Sequence, residues 1–523
     1  MKKPLLPSPP APGLSPSLRR YLYCTAAMTG AAIMIVEILG AKMLSPYVGT
    51  SHFVWTAQIA VTLVALAAGY YVGGRLVDQS QQLGRLYGCI LAAAIYLCAT
   101  VLVCEPLVYW CLNFKLAVGS LLASGLLFFV PLALLAMTGP FLVRVLTVSV
   151  SGVGGNVGRL TSISTLGSVA GTVLIGYVLI PHLPNSKTMY LTAIMLMGIV
   201  SGYFFLWRHK GMTRVTAVVS ILAGLTAGYL GLRLENHRSY PHHEVLARRN
   251  SNFGQMQVIE DADGQLSYLN DYLIQNTYDP FEGKSDSMFT YMLHELARAY
   301  TTNTSDVLCI GLGVGIVPME FARDGAKVDV VEINPAVVPL AQQFFDLEPE
   351  QLNITFGDGR QFVNQCRKQY DAIILDAFLG DSSPSHLMTK EAFTAMRRIL
   401  KPSGVLVINC FAHFNPGADF LGASLEKTLS GVFRSVRIHT EGEGANVFFV
   451  ASELAEMAAR RAPNLEQVPS LVSGRTKAAF ARIIQSNPNH GIMLTDDYNP
   501  VEFYDAANRE ELRKRLAGYA HAN

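Results

Sequence analysis

The sequence predicts two kinds of structure in one chain: a multi-pass α-helical membrane domain over residues 21–235, and a doubly wound α/β domain over residues 284–523. Half of the 523 residues are hydrophobic and 15% are charged, whereas a soluble protein carries about 25% charged residues. The apolar excess lies before about residue 235. Beyond that point strands and helices alternate, which is typical of a parallel-dominated sheet.

The chain begins with a basic, proline-rich leader over residues 1–20, which we expect to be disordered. The leader has no short apolar core followed by a small-residue cleavage site, so we do not expect a signal peptide. The net charge is +2, and so small a charge does not indicate a nucleic-acid partner.

The membrane domain is predicted from segments that are apolar over about 20 residues, the length that crosses a bilayer. The seven segments span residues 21–44, 53–76, 86–111, 116–146, 160–182, 188–207 and 213–232. Glycines such as Gly69 and Gly171 predict close packing between helices. Pro131 and Pro140 predict a kink in the fourth segment.

The α/β region begins with a small antiparallel β unit over residues 240–283, where "FGQMQVIED", "QLSYLND" and "YLIQN" are strands separated by turn residues. Residues 285–300 then have the apolar spacing of a helix. Five strands alternate with helices after that, and two more strands finish the sheet. Their sequences are "DVLCIGLG", "KVDVVEIN", "NITFGD", "YDAIILDAF", "GVLVINCF", "SVRIHT" and "NVFFVAS". Ligands of such sheets bind beyond the carboxyl ends of the strands.

The first two strand ends carry a glycine turn and an acid. Gly311, Gly313 and Gly315 permit a tight turn and a close approach of a ligand to the backbone. Glu332 ends the second strand, where a carboxylate can accept hydrogen bonds from both ribose hydroxyls. Each feature also has a structural interpretation, as a plain turn or as an acid favoured by a helix dipole.

The next two strand ends carry aspartates. Asp358 and Gly359 follow the third strand and could hold an adenine edge, or form a turn. Asp376 ends the fourth strand, where it could take a proton from an amine nucleophile or cap a helix. Four such features at successive strand ends describe an adenosyl pocket in a Rossmann-like domain of the S-adenosylmethionine-methyltransferase type. The eight cysteines form no CxxC or Cys/His cluster, so we predict no metal site.

The α/β region resembles the spermidine synthase (polyamine aminopropyltransferase) family, and in particular its membrane-fused bacterial members. The resemblance covers about residues 245–505 and rests on "IGLGVG", "VEINPAVV", "FGDGRQFV", "YDAIILDAF", "LMTKEAF", "LKPSGVLVIN" and "LTDDYNPVEF". It implies transfer of an aminopropyl group from decarboxylated S-adenosylmethionine to an amine. By position it assigns ribose binding to Glu332, adenine binding to Asp358 and Gly359, and proton abstraction to Asp376.

The amine half of the implied site departs from the family. Tyr291 matches an aromatic residue of the substrate channel, and Gln275 matches a glutamine that follows the family's hairpin. The glycine turn carries Val314 where the family has an acid that faces an ammonium group. Leu379 replaces a second acid, and Asp381 lies two residues further on as a candidate substitute. An ammonium group without a carboxylate partner loses a charge-assisted hydrogen bond, so diamine binding should be weaker unless Asp381, Glu441 or the pair Asp496 and Asp497 supplies one. The acceptor therefore need not be putrescine.

The leading hypothesis is a membrane-anchored aminopropyltransferase-like enzyme that uses decarboxylated S-adenosylmethionine as co-substrate and no metal. One alternative is an S-adenosylmethionine-dependent methyltransferase, because Val314 removes a charge that would repel the carboxylate of intact S-adenosylmethionine. Another is a transporter or sensor that binds an adenosyl compound or a polyamine without turnover. The partners implied are a small-molecule amine and the lipid bilayer.

The orientation in the membrane has two opposing indications. Positive residues are richer on the leader's side of the segments, which places the N-terminus in the cytoplasm. Seven crossings would then put the α/β domain outside, whereas its proposed substrates are cytosolic metabolites. We predict a multi-pass protein of the bacterial inner membrane with a cytoplasmic catalytic domain. Three roles remain open for the membrane half: an anchor, a route for hydrophobic or exported substrates, and the interface of a homodimer.

Overall fold

The computed structural model describes residues 14–504 apart from 50, 148–152, 208–210, 237–241, 379–383, 443–445 and 488, together with residues 506, 508, 510 and 511. The chain divides into two compact units. One is helical and comes from the first 237 residues. The other contains residues 238–523 with the short segments 45–52 and 114–116. Each unit is described by itself.

The helical unit follows the predicted order of apolar segments. Its helices are α1 (Pro16–Val48), α2 (His52–Gln79), α3 (Leu83–Cys111), α4 (Leu116–Ser124), α5 (Val130–Ala136), α6 (Thr138–Leu146), α7 (Val153–Leu174), α8 (Ile180–His182), α9 (Asn185–Trp207) and α10 (Gly211–Asn236). Helix α1 begins inside the predicted leader, so residues 16–20 are helical rather than disordered.

Six helical segments within the described residues are long and apolar enough to cross a membrane. They are Pro16–Val48, His52–Gln79, Leu83–Cys111, Leu116–Leu146, Val153–His182 and Asn185–Trp207. The seventh predicted segment is also helical, but its apolar part, Ala217–Arg233, is shorter. Whether the chain has a seventh candidate membrane span therefore depends on α10.

Glycines and prolines shape the helical unit as their chemistry predicts. A Cβ atom added at Gly69 would lie 2.3 Å from the carbonyl oxygen of Ala133, and one at Gly167 would lie 2.0 Å from that of Ala27. Such contacts leave no room for a larger side chain, so α2 packs against α5 and α7 against α1 through glycine. A π-helical turn, Gly125–Phe129, precedes Pro131 and interrupts the fourth segment.

The α/β unit begins with an antiparallel sheet of five strands in the order β1-β2-β3-β4-β5. The strands are β1 (His243–Ser251), β2 (Gly254–Asp261), β3 (Leu266–Asn270), β4 (Leu273–Asp279) and β5 (Lys284–Ser285). Helix α11 (Met288–Tyr300) follows. The predicted β unit is thus present, with one further strand on each side of the three predicted strands.

The second sheet has eight strands, in the order β13-β11-β12-β10-β9-β6-β7-β8. Its elements are β6 (Asp306–Ile310), α12 (Ile316–Arg323), β7 (Lys327–Glu332), α13 (Val338–Phe344), β8 (Asn353–Phe356), α14 (Gly359–Gln365), β9 (Tyr370–Leu375), α15 (Lys390–Arg398), β10 (Leu400–Phe411), α16 (Phe420–Ser430), β11 (Ser435–Thr440), β12 (Asn446–Ser452), α17 (Ser470–Ala481), β13 (Ile483–Ile484) and α18 (Val501–Tyr504). Strands β6 to β10 pair in parallel, whereas β11, β12 and β13 pair antiparallel.

The central strands are apolar on both faces, as a doubly wound sheet requires. In β9, Ala372 and Ile374 pack into one core layer while Ile373 and Leu375 pack into the other. Helices α11, α12 and α17 contribute to the first layer, and α14, α15 and α16 to the second. The strand order reverses between β6 and β9, which creates a topological switch point where ligands of such sheets bind.

Candidate active site

The glycine turn between β6 and α12 is held in a backbone conformation that other residues rarely adopt. Gly311, Gly313 and Gly315 have φ values of 102°, 57° and 92°. A Cβ at Gly311 would lie 2.3 Å from the carbonyl oxygen of Asp376, so this residue brings the ends of β6 and β9 together. A Cβ at Gly313 would meet nothing within 4 Å, which leaves this residue open to a ligand.

Two alanine variants separate these roles. Gly313→Ala should cost about 1–2 kcal/mol, the penalty of a left-handed conformation, and lower the melting temperature by about 2–8 °C. Gly311→Ala carries the same penalty and must also displace a backbone carbonyl, so its melting temperature should fall at least twice as far. Calorimetry of the purified protein measures both transitions. Equal shifts would contradict the close approach of the two strand ends.

Glu332 stands at the end of β7 with both carboxylate oxygens directed at backbone amides. Its Oε2 accepts a hydrogen bond from Leu312 N at 2.9 Å, and its Oε1 accepts one from Asn334 N at 2.7 Å. Burial raises the pKa of Glu332 above its ordinary value, although these backbone hydrogen bonds oppose the rise. The carboxylate thus ties the glycine turn to the next strand and keeps lone pairs for a ligand.

Asp358 caps the N-terminus of α14 and is paired with a histidine. Its Oδ1 accepts a hydrogen bond from Gln361 N at 2.9 Å, and its Oδ2 lies 2.9 Å from Nε2 of His386. Burial alone would raise the pKa of Asp358, but these two partners outweigh it and hold the pKa below its ordinary range. Asp358 thus has a structural role as a helix cap, which the sequence analysis did not predict, and it also lines the cavity at these strand ends.

Asp376 follows β9 and is oriented by two asparagines in series. Asn409 donates from Nδ2 to Asp376 Oδ1 at 2.9 Å, and Asn446 donates from Nδ2 to Asn409 Oδ1 at 2.9 Å. Burial raises the pKa of Asp376 to about 6, although the hydrogen bond from Asn409 lowers it. A carboxylate with this pKa is ionised at neutral pH and is a better proton acceptor than an ordinary aspartate.

One cavity joins these strand ends. Its volume is about 350 Å³, which lies within the roughly 300–1,000 Å³ of small-molecule sites. It is lined by seven of the predicted site residues: Gly311, Gly313, Glu332, Asp358, Gly359, Asp376 and Gln275. The convergence of Glu332, Asp358 and Asp376 around one cavity is what an adenosyl pocket requires.

Three predicted site residues have other positions. Gly315 lies behind the turn, where a Cβ would meet Leu347 at 2.5 Å. Tyr291 is not among the described lining residues, and its hydroxyl donates to the carbonyl oxygen of Ser285 at 2.7 Å. The structure therefore does not bring Tyr291 to the cavity with the others. Asp381 lies outside the described residues.

The cavity carries a negative charge. Its lining has four carboxylates, from Asp286, Glu332, Asp358 and Asp376. Arg475 is the only lysine or arginine among the described lining residues, and it forms hydrogen bonds of 2.5 and 2.7 Å to Glu441. Such a site favours a cationic ligand.

Several lining residues were not predicted from the sequence. Asn409 lies near the carboxyl end of β10, so an argument from polar residues close to strand ends could have found it too. Asn446 pairs opposite Phe411 in the antiparallel ladder, a relation that depends on the register. Asp286 lies in the connection before α11, and no local pattern marks it. Two of the acids considered as replacements for the carboxylate missing at Val314 are already paired. Glu441 is paired with Arg475, and Asp496 is paired with Arg360 at 2.8 Å.

The α/β unit matches proteins of known families. Residues 287–439 match the model of the spermine/spermidine synthase domain. A polyamine aminopropyltransferase of Vibrio vulnificus is 38% identical over 131 residues, which are 24% of this chain and 44% of that protein. One from Clostridium botulinum is 26% identical over 220 residues, which are 39% of this chain and 75% of that protein.

A methyltransferase is also similar to part of this chain. An N-terminal histidine N-methyltransferase of Emericella nidulans is 33% identical over 148 residues, which are 27% of this chain and 26% of that protein. The chain spans less than half the length of the Vibrio and Emericella relatives. The match to the spermine/spermidine synthase domain, over residues 287–439, lies in the unit that contains the cavity.

Proposed function

Because the α/β unit of this chain belongs to the spermine/spermidine synthase family, we propose that the protein is an aminopropyltransferase-like enzyme. Its donor would be decarboxylated S-adenosylmethionine and its acceptor an amine. The observation that carries this proposal is Asp376, a carboxylate with a raised pKa in the same cavity as Glu332 and Asp358. Perturbed acids beside a nucleoside-sized cavity are typical of a catalytic site.

The proposed reaction is a direct displacement. Glu332 would accept the two ribose hydroxyls, and Asp358 with Gly359 would hold the adenine side. The acceptor nitrogen attacks the carbon next to the sulfonium, a C–N bond forms, and the C–S bond breaks with its electrons going to sulfur. Asp376 takes the proton that the nitrogen loses, and methylthioadenosine leaves. Positioning two substrates in line supplies most of the rate enhancement.

The charge of the cavity supports this donor. The sulfonium and the primary ammonium of decarboxylated S-adenosylmethionine are both cationic, and four carboxylates line the cavity. An intact methionine carboxylate would instead face repulsion from these acids. The donor also needs no acidic partner for its sulfur, because the positive charge already makes it a good leaving group.

A methyltransferase is the second candidate, favoured by Val314. This side chain is 1% exposed and stands in the glycine turn where the family has an acid, so one repulsive charge toward intact S-adenosylmethionine is absent. The similarity to a histidine N-methyltransferase agrees with this candidate.

The two candidates differ in the product they release. The purified protein should be incubated with a panel of di- and polyamines and with each donor in turn. Methylthioadenosine formed only with the decarboxylated donor supports the aminopropyltransferase. S-adenosylhomocysteine formed with the intact donor supports the methyltransferase and contradicts the leading proposal.

Membrane attachment through the helical unit is part of the proposal. Whether α10 crosses the membrane determines the side on which the α/β unit lies. Six crossings with a cytoplasmic leader return the chain to the cytoplasm, whereas a seventh crossing puts the α/β unit outside. The apolar stretch Ala217–Arg233 is shorter than the roughly 20 residues that usually span a bilayer, so the cytoplasmic side stays our prediction.

The side of the membrane on which the α/β unit lies can be measured with single cysteines placed near residue 260, in a variant that lacks its own exposed cysteines. A membrane-impermeant maleimide should label them only after the cells are opened. Labelling in intact cells with a permeable outer membrane would mean that α10 crosses and that the substrates are extracytoplasmic.

A further inference from the structure

Asp286 is an acid on the cavity wall that has no role in the reaction proposed above. It lies between β5 and α11 and is one of the four lining carboxylates. Its Oδ2 is buried and has no hydrogen-bond partner among the described residues. A buried carboxylate oxygen without a donor is costly, so its position indicates a ligand that donates hydrogen bonds.

A second orphaned acceptor lines the same cavity. Asn270 ends β3, and its Oδ1 is also buried without a partner among the described residues. Both acceptors come from the wall that the small β unit and the start of α11 contribute. A primary ammonium has three donors and no acceptor, so it matches a wall that offers acceptors.

The surroundings of Asp286 are acidic. Burial and the charge of Asp279 raise the pKa of Asp286, Glu282 and Asp261 add to the rise, and a hydrogen bond from Gln265 opposes it. Lys284, the lysine nearest in sequence, pairs with Glu282 at 3.9 Å. A cation bound to Asp286 would relieve this repulsion, whereas an anion would increase it.

We propose that Asp286 binds a primary ammonium group of the acceptor amine, in place of the acid that the glycine turn lacks at Val314. This inference rests on the proposed function, because it concerns the acceptor of the same reaction. The acceptors that fit this arrangement are di- or polyamines. One ammonium group would lie beside Asp286 on the cavity wall while the attacking nitrogen lies at Asp376. Glu441 and Asp496 are less suited to this role, because each is already paired with an arginine.

The test compares two neutralising variants of the full-length protein in detergent. Asp286→Asn preserves the shape of the side chain, and the matched control Glu282→Gln removes a nearby exposed charge outside the described lining. Binding is measured calorimetrically with putrescine, cadaverine and spermidine, and separately with methylthioadenosine. Loss of one charge-assisted hydrogen bond should weaken amine binding by about 10- to 100-fold in Asp286→Asn. Glu282→Gln should change it less than about twofold, as expected of an exposed charge.

Methylthioadenosine reports on the rest of the pocket. It lacks an ammonium group, so both variants should bind it as the wild-type protein does, which also shows that they are folded. If Asp286→Asn binds amines as tightly as the wild type, or if the wild type binds methylthioadenosine but none of the three amines, the inference is overturned while the adenosyl pocket stands. If the wild type does not bind methylthioadenosine, the proposed function itself fails.

Discussion

Asp376→Asn is expected to lower the rate of methylthioadenosine formation by about 100- to 10,000-fold, the usual contribution of a general base. Asparagine keeps the shape of the side chain but cannot take a proton from the attacking amine. Binding of methylthioadenosine should change little, because the ribose and adenine contacts involve other residues. The rate is measured at saturating concentrations of both substrates. A variant that keeps more than a tenth of the rate would exclude Asp376 as the proton acceptor.

The matched control is Asp371→Asn, at the opposite end of the same strand. Asp371 accepts hydrogen bonds from Asp306 N at 2.9 Å and from Lys401 Nζ at 3.0 Å, and it is not among the described residues that line the cavity. Its replacement should lower the melting temperature and leave the rate per folded molecule unchanged. Comparing Asp376→Asn with Asp371→Asn therefore distinguishes an effect on the reaction rate from an effect on protein stability.

The pH dependence gives an independent check on Asp376. Burial raises its pKa to about 6, so the basic form is lost as the pH falls through that value. The value of kcat/KM in the wild type should therefore decrease below about pH 6, and the residual activity of Asp376→Asn should lack this decrease. The folded state binds the proton more tightly than the unfolded chain, so ionised Asp376 costs stability above pH 6. Asp376→Asn should be at least as stable as the wild type at pH 7.5.

Glu332→Gln is expected to weaken binding of methylthioadenosine by about 100-fold, because two charge-assisted hydrogen bonds to the ribose are lost. The glutamine oxygen can still accept from one backbone amide. Its NH2 group would face the other, so either Leu312 N or Asn334 N would lose its acceptor. The glycine turn should loosen as well. Isothermal titration calorimetry measures the dissociation constant of the nucleoside.

Glu320→Gln is the control for this variant, since Glu320 lies on α12 outside the described lining and pairs with Arg323 at 2.6 Å. It should bind methylthioadenosine as the wild type does. If Glu332→Gln binds the nucleoside with unchanged affinity while remaining folded, Glu332 serves only the turn, and the ribose assignment is wrong. Asp376→Asn and Glu332→Gln thus have opposite signatures: the first affects the rate and the second affects binding.

The strand-end residues were predictable because the local pattern carries the information. Apolar runs such as Ile373 to Leu375 identify a buried strand, and the first acid after the run must lie at the rim of the sheet. Parallel strands end at the same edge, so the order of the strands alone predicts that Glu332, Asp358 and Asp376 converge. Most helix boundaries were predictable to within about five residues, because runs of apolar residues mark them. An exception is α7, which begins at Val153 although the apolar segment was predicted from residue 160.

The remaining parts of the site depend on tertiary contacts that the local sequence pattern does not encode. The orientation of Asp376 comes from Asn409, 33 residues away, and that of Asn409 comes from Asn446, 37 residues away. The position of Tyr291 depends on the hydrogen bond of its hydroxyl to Ser285, which turns a residue expected in the channel toward the backbone. None of these relations has a signal in the spacing of residues.

The sequence by itself determined the division into an apolar helical region and an α/β domain, the order of strands and helices, and the acids at the strand ends. These follow from burial and periodicity, which act over a few residues. Only the tertiary structure decided that Asp286 lines the same cavity as the strand-end acids, that a buried oxygen of Asp286 is paired by no described residue, and that Glu441 and Asp496 are engaged by arginines. Pairings of this kind are decided by strand register and loop packing, which join residues that the chain keeps far apart.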